Sequence, residues 1–203
     1  MRRIAFLARL VLLLLASLAA GTARADDIEV RGVALRATGE GLMLDADFAF
    51  ELTPRLAEVV ATGVPIYFRV EFELIRRRWY WFDDTTAVRR LQVRLSYHAL
   101  SRQYRLSTGL LQQNFSTLEE ALNVLKRVRN WLVIERSVPL SGDYEAGLRM
   151  RHDVSLLPKP FQLSALTARD LHLDSSWYRL TVRALEQAPA PVESRDLQGA
   201  PLR

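Results

Sequence analysis

Residues 65–74 read PIYFRVEFEL, and their alternation of apolar and polar side chains decides the fold class of this chain. Side chains on a β-strand point to opposite faces in turn, so one face receives the apolar set and the other the polar set. The apolar set is Ile66, Phe68, Val70, Phe72 and Leu74, and the polar set is Tyr67, Arg69, Glu71 and Glu73. The stretch therefore predicts a strand in a sheet with one buried face.

The same period of two recurs along the chain and predicts further strands. They occupy residues 28–35, 42–50, 91–97, 104–106, 131–135, 144–154 and 178–184. Two helices are predicted: Thr53 and Pro54 begin one that Gly63 stops, and a capping-box pattern at 116–120 begins another that ends near Asn130. About seven or eight antiparallel strands with two helices favour a mainly β fold, an immunoglobulin-like β-sandwich, over a doubly wound sheet.

Residues 156–163, LLPKPFQL, contain two prolines, which lack the N–H donor that a central strand needs. We expect this segment to be an extended loop or edge that crosses from one sheet to the other.

The first 25 residues have the features of a secretory signal peptide. Three arginines lie within the first nine residues, residues 10–20 are an apolar run rich in Leu and Ala, and Ala23-Arg24-Ala25 fits a signal-peptidase site. The apolar run is shorter than the roughly 20 residues that span a bilayer core. We therefore expect cleavage after Ala25, no stable membrane anchor afterwards, and a periplasmic protein.

The expected organisation is a signal peptide at residues 1–25, one β-sandwich domain at 26–185 and a tail at 186–203. The tail reads EQAPAPVESRDLQGAPLR, which is rich in Pro and Ala and has no apolar period. That composition predicts disorder. The chain has no Cys, which excludes disulfides, a catalytic thiolate and a lipid-modified cysteine.

The expected cleavage changes the charge of the protein. The whole chain has a net charge of +5, but Arg2, Arg3, Arg9 and Arg24 leave with the signal peptide. That removal leaves 24 basic residues of the original 28 against 23 acidic residues. A nearly neutral domain has no global field that attracts polyanions, so we expect no nucleic-acid partner.

Residues 76–84, RRRWYWFDD, set three arginines before four aromatic residues and two acids. An unbroken strand would bury Arg76 and Arg78, so we expect a bulge or a departure from the core near these residues. In one interpretation the arginines pair with nearby acids while the tryptophans pack at the sandwich end; the candidate acids are Glu71, Glu73, Asp83 and Asp84. In the other, the segment is a binding surface with five candidate residues: Arg76, Arg77, Arg78, Trp79 and Trp81.

Catalysis, a metal and a cofactor have no support in the sequence, and we predict a protein that is not an enzyme. His98, His152 and His172 lie on separate segments without a ligand pattern such as H-x-x-x-H. We expect each to be structural, and His152 to be a hydrogen-bonded residue in the core or at a sheet end. Adjacent acids such as Asp83-Asp84 point to opposite faces of a strand and cannot act as a pair.

Several segments together carry a family resemblance. The signal peptide, RRRWYWFDD, LPKPFQL and DLHLDSSWYRL resemble the exported proteobacterial family called domain of unknown function 4390, sometimes labelled proline-rich signal peptide protein. The resemblance covers about Asp27 to Arg183. It implies no activity and no catalytic residues. Its members are often encoded near a nitrogen-type two-component sensor, which implies an association with the envelope or with signalling.

We therefore predict a periplasmic, non-catalytic binding or accessory protein of the cell envelope with a protein partner, associated with two-component signalling. The alternative is a small-ligand or glycan binder that uses Trp79, Trp81 and Trp177 as stacking faces. A third interpretation is a hydrolase with an unrecognised site. The sequence leaves the oligomeric state open.

Overall fold

The structure is a computed structural model that describes residues 27–76, 84–138, 140, 142–165 and 168–182. The described chain is mainly β, with nine strands and three helices. The strands are β1 (Glu29–Ala37), β2 (Gly41–Ala49), β3 (Ile66–Arg76), β4 (Asp84–His98), β5 (Gln103–Thr108), β6 (Leu111–Phe115), β7 (Arg127–Glu135), β8 (Tyr144–His152) and β9 (Tyr178–Val182). The helices are α1 (Pro54–Ala61), α2 (Leu118–Leu125) and α3 (Lys159–Ala165).

The strands form two antiparallel sheets. The smaller sheet has the order β1-β2-β7, and the larger has the order β6-β5-β4-β3-β8-β9. The predicted signal peptide, the predicted tail and the predicted domain ends at residues 26 and 183–185 lie outside the described residues.

Strand β3 forms the centre of the larger sheet, and the five inward side chains predicted from its alternation are all buried. Buried residues of both sheets belong to one hydrophobic cluster. Phe50, directly after β2, contacts Phe68 of β3 with ring centroids 5.4 Å apart. The two sheets therefore share one core, and this core fixes which side chains of each strand point outward.

Both predicted helix starts are confirmed. The Thr53 side chain accepts a hydrogen bond from the backbone N–H of Leu56, and Pro54 lies in the first turn of α1. Thr117 and Glu120 form a capping box at the start of α2. None of the helices in the described parts of the chain is long and apolar enough to cross a membrane.

The predicted end of the second helix near Asn130 is wrong. Helix α2 ends at Leu125, and β7 begins two residues later. Val128 continues the helical spacing, but its burial comes from its inward position in β7. Asn130 has a φ of 51°, and its backbone N–H donates to the Asp45 carboxylate at 2.7 Å. This contact fixes an irregularity in the pairing of β2 and β7.

The prediction that residues 156–163 are extended is also wrong. A 3-10 turn covers Val154–Leu156, and α3 follows at Lys159–Ala165. Pro158 precedes α3 and Pro160 lies in its first turn, where a backbone N–H has no partner inside the helix. The two prolines are therefore as compatible with a helix start as with an edge segment.

Candidate functional site

Of the five residues of the predicted binding surface, the structure describes Arg76. It ends β3, is half-buried and pairs in register with Asp84 of β4. The pairing of β3 with β4 shifts between Leu74 and Ile75, just before the segment where an irregularity is expected, and Arg77 and Arg78 lie outside the described residues. The other four residues lie outside the described residues: Arg77, Arg78, Trp79 and Trp81.

A different group of cations lies on the outward face of the larger sheet. Residues directly opposite each other on antiparallel strands share a face, and the register places Arg90 and Arg149 on either side of Glu71. The same face continues over β5 and β9. We call its charged members the arginine face: Arg69, Glu71, Glu73, Arg90, Arg94, Arg105, Glu145, Arg149, Arg151 and Arg179.

The arginine face is basic although the predicted mature chain is nearly neutral. Its seven arginines stand against three glutamates. Two more acids border it, Asp153 in contact with Arg69 and Asp174 opposite Arg151. Arginines still outnumber acids when these two are included.

Glu71 lies at the centre of the arginine face and is only 5% exposed. Its carboxylate is 2.5 Å from Nη2 of Arg149 and 3.1 Å from Nη2 of Arg151. Arg90 lies 3.6 Å away through Nε, and Arg69 lies 3.9 Å away through Nη1. One carboxylate thus serves four guanidinium groups and neutralises only part of their charge.

The arginines keep Glu71 ionised. Burial by itself raises the pKa of Glu71, but the hydrogen bonds and charges of Arg149 and Arg151 outweigh burial and hold the pKa below its ordinary value. The carboxylate therefore remains a hydrogen-bond acceptor at neutral pH and orients the guanidinium groups around it.

Trp177 adds a second constraint on the arginines. The guanidinium carbon of Arg149 lies 4.4 Å from its ring centroid, and that of Arg179 lies 5.2 Å away. The ring packs against Gly147, where an added Cβ would come 3.1 Å from Cε3. Arg179 also contacts Glu73 at 2.7 Å. Stacking and ion pairing together hold these cations in fixed orientations.

The part of the arginine face on β4 and β5 is the least neutralised. Arg90 is 66% exposed and contacts Glu71 at 3.6 Å. Arg94 and Arg105 have no ion pair with any other residue that the structure describes. Nε of Arg105 is buried without a hydrogen-bond partner among the same residues. This part of the face can therefore donate to carboxylate or phosphate oxygens of a ligand.

The three histidines bond locally, and His98 lies at the end of β4 on the same side of the sheet as Arg94. His152 is 3% exposed, which confirms the prediction of a hydrogen-bonded core residue. The ring contacts are His98 Nδ1 to Ser101 Oγ at 2.9 Å, His152 Nδ1 to the Leu171 carbonyl at 2.8 Å, and His172 Nε2 to the Ala165 carbonyl at 2.9 Å. In the parts of the chain that are described, no three His, Asp or Glu side chains are grouped to hold a metal ion.

Trp177 also lines a cleft of 380 Å³ between the start of β1 and the segment before β9. The cleft is lined by Ile28, Glu29, Val30, Ser175, Ser176, Trp177 and Tyr178. Its volume lies within the range of small-molecule sites, about 300–1,000 Å³. Of the three tryptophans proposed as stacking faces, Trp177 is the one that the structure describes, and it combines this cleft with arginine contacts.

Sequence reasoning missed the arginine face. It identified Arg69, Glu71 and Glu73 as outward residues of one strand, but the arginines around them come from four other strands. Glu71 and Glu73, suggested as partners for residues 76–78, contact other arginines. The alternation of each segment shows which of its residues point outward. Bringing the outward arginines of different strands together also requires the order of the strands in the sheet.

The comparison with protein-family models gives a match. The model described as Domain of unknown function (DUF4390) matches residues 25–181, which confirms the resemblance drawn from the sequence motifs. No curated protein matches the chain, and no solved structure matches it.

Proposed function

We propose that this chain, which belongs to the DUF4390 family, is a non-catalytic binding protein of the cell envelope that contacts a protein partner through the arginine face. The observation that carries the proposal is the concentration of seven arginines on one side of one sheet. Arginine pairs with carboxylates in a bidentate geometry and is enriched at protein interfaces. The partner therefore presents an acidic surface.

Fixed orientation supports directional recognition of a protein. Glu71 and Trp177 already hold Arg149 in place, so binding a carboxylate there costs little side-chain entropy. The contacts of all three histidines with backbone or neighbouring side chains favour structural roles over catalytic ones. A binding role thus accounts for the cations without requiring a reaction.

The finer architecture that we propose is an immunoglobulin-like sandwich. In that fold one sheet has strands in the order A-B-E-D, and the other contains C, F and G with additions beside C. The order β1-β2-β7 fits A-B-E, and the order β4-β3-β8-β9 fits C′-C-F-G. Strands β5 and β6 would extend the second sheet beyond C′.

Site-specific photo-crosslinking in cells tests the partner surface. Gln92 is exposed on β4 between Arg90 and Arg94. With p-benzoylphenylalanine at Gln92, we expect a defined protein adduct that Arg94→Glu reduces about tenfold, the effect of losing about 1.4 kcal/mol. The matched control places the probe at Arg31, which is exposed on β1. An adduct at Gln92 that persists with Arg90→Glu and Arg94→Glu combined would contradict the proposal.

Export to the periplasm is the second part of the proposal, and it rests on the signal-peptide pattern at residues 1–25. Intact mass spectrometry of the protein from the periplasmic fraction should give a chain that begins at Asp26. A chain that retains Met1 in the membrane fraction would exclude both the cleavage and the soluble periplasmic location.

The cleft beside Trp177 favours a second candidate function, binding of a small ligand or glycan. Sugars stack on aromatic rings, and this cleft has a tryptophan in its wall. Titration with a panel of oligosaccharides, followed by Trp fluorescence, tests this candidate. A saturable response that Tyr178→Ala abolishes and Arg94→Glu preserves would place the binding site in the cleft.

A further inference from the structure

Strand β6 forms one edge of the larger sheet and has an unusual composition for an edge. Residues 106–118 include no charged side chain, although 25% of the whole chain is charged. Residues 111–114 are all exposed. Leu110 is 104% exposed and Leu111 is 75% exposed, so two leucines project into solvent at this edge.

Natural sheets protect their edges with charged residues, proline or bulges, because unpaired N–H and C=O groups otherwise pair with another strand. Strand β6 has no charged residue and no proline. Its pairing with β5 runs from Leu111 to Phe115 without a shift in register. Within the residues that the structure describes, the other side of β6 has no strand neighbour. Among the described residues, this edge of β6 therefore remains unpaired.

The sequence of β6 is complementary to itself. In an antiparallel pair of two β6 strands centred on Gln113, Leu111 lies opposite Phe115 of the other copy, and Gln112 lies opposite Asn114. Apolar residues then meet apolar residues and uncharged amides meet uncharged amides, so no like charges, which destabilise a cross-strand pair, lie opposite each other. The two-fold symmetry of such a pair is the usual symmetry of a homodimer.

We propose that two copies of this chain associate by antiparallel pairing of their β6 strands about Gln113, which joins the two six-stranded sheets into one. The contact is short, so the dimer is of the weak, transient class rather than an obligate one. It forms through main-chain hydrogen bonds, with Leu111 covered by Phe115 of the second copy. This association is independent of the proposed partner binding.

The electrostatics of the arginine face do not oppose this pairing. The axis that relates two antiparallel neighbours is perpendicular to the sheet, so both arginine faces lie on the same side. Arg105 of each copy lies on β5, one strand from the contact. The two Arg105 positions are then three strand spacings apart, about 14 Å, which exceeds the Debye length of about 8 Å at physiological salt. Both arginine faces therefore stay exposed on one side of the joined sheet.

Disulfide trapping tests the pairing and its register, since the natural chain has no Cys. In Gln113→Cys the two thiols lie opposite each other, with Cα atoms about 4.5–5.5 Å apart, within disulfide range. Ser116→Cys is the matched control. In the proposed pairing Ser116 lies opposite Leu110 of the other copy, so the two introduced cysteines would be six residues, or about 20 Å, apart. We expect at least about tenfold more disulfide dimer from Gln113→Cys under mild oxidation, because pairing raises the effective thiol concentration.

The register has its own test. A mixture of Gln112→Cys and Asn114→Cys proteins should give the mixed disulfide in preference to either homodimer, because these two positions lie opposite each other. Equal trapping at Gln113 and Ser116, or no preference in the mixture, would exclude the proposed pairing.

Sedimentation velocity of the unmodified chain that begins at Asp26 provides a readout without cysteine. We expect a monomer–dimer equilibrium. Gln113→Glu should shift it to monomer, because the two introduced glutamates would lie opposite each other and repel. A monomer at every concentration would overturn the proposal. So would a dimer that appears only after removal of residues 186–203, because that result would mean that this segment covers β6 in the natural chain.

Discussion

At the residue scale, Glu71 stabilises the arginine face by holding like charges together. Four guanidinium groups surround its carboxylate, although the arginines themselves remain partly exposed at 27–66%. Without the carboxylate they would repel one another and would turn toward solvent. The conformation of the candidate binding surface therefore depends on one buried acid.

Glu71→Gln should lower the free energy of unfolding by about 1–3 kcal/mol, the usual range for loss of hydrogen bonds to a charged group. Solvent screening of the exposed arginines keeps the loss below that of a fully buried ion pair. Urea denaturation measures it. Glu135→Gln is the control, because its contact with Arg89 is exposed, and we expect a change within about 0.5 kcal/mol. Equal losses in both variants would contradict the central role of Glu71.

His152 makes the stability of the core depend on pH. Burial lowers the pKa of His152, and the charge of His172 lowers it further, whereas the Leu171 carbonyl, Asp153 and Asp174 raise it. The folded state therefore binds a proton less readily than the unfolded state does. The stability that neutral His152 contributes is fully present above the unfolded pKa of about 6.5 and is lost as the pH falls below it.

The melting temperature should therefore decrease as the pH is lowered from about 7.5 to about 5.5. Ordinary carboxylates have pKa values below this pH range. His152→Asn, which can keep a donor near the Leu171 carbonyl, should flatten this dependence even if it lowers the stability overall. Differential scanning fluorimetry at both pH values measures the slope. His98→Asn should leave the slope unchanged, since that ring bonds to Ser101 at an exposed turn. An unchanged slope in His152→Asn would exclude this histidine as the source.

At the element scale, the sequence predicted a strand wherever one face is buried. The alternation of 66–74 gave the inward residues of β3 correctly, because burial of one face imposes the period of two. Strand β6 was not predicted, since most of its side chains are exposed and no face imposes a period. The end of α2 was misplaced because Val128 satisfies both helical and strand spacing. The arginine face was not predicted, because the alternation within one strand does not show which strands lie beside it.

The β1–β2 hairpin depends on a glycine that lies against β7. Gly41 has a φ of 144°, and an added Cβ would lie 2.0 Å from the Ile134 carbonyl oxygen. Gly41→Ala should therefore destabilise the protein by at least about 3 kcal/mol, through strain and a backbone clash. Gly39→Ala in the same turn has no atom within 4 Å of the new Cβ, so its effect should stay within about 0.5 kcal/mol. Chemical denaturation of both variants measures the difference, and a tolerated Gly41→Ala would contradict the close approach of β2 to β7.

At the scale of the whole molecule, net charge conceals how charge is distributed. The predicted mature chain carries 24 basic and 23 acidic residues, which by itself argues against polyanion binding. Within the residues that the structure describes, the fold nevertheless places seven arginines on one side of one sheet. Binding of single-stranded DNA therefore has to be measured, because a net charge near zero does not exclude binding to this local group of arginines.

We still expect weak or undetectable binding of single-stranded DNA at physiological salt. Glu71 and Glu73 already neutralise part of the arginine face, so few counterions would be released from the nucleic acid. Proteins that bind single strands also stack bases on exposed rings, whereas on this face Trp177 already contacts Arg149 and Arg179, and Tyr67 is half-buried. Fluorescence anisotropy with a labelled oligonucleotide over a salt series measures the affinity, and an acidic peptide of equal charge is the control. Sub-micromolar affinity for DNA with a steep salt dependence would mean that the arginine face recognises phosphates in preference to the carboxylates of a protein.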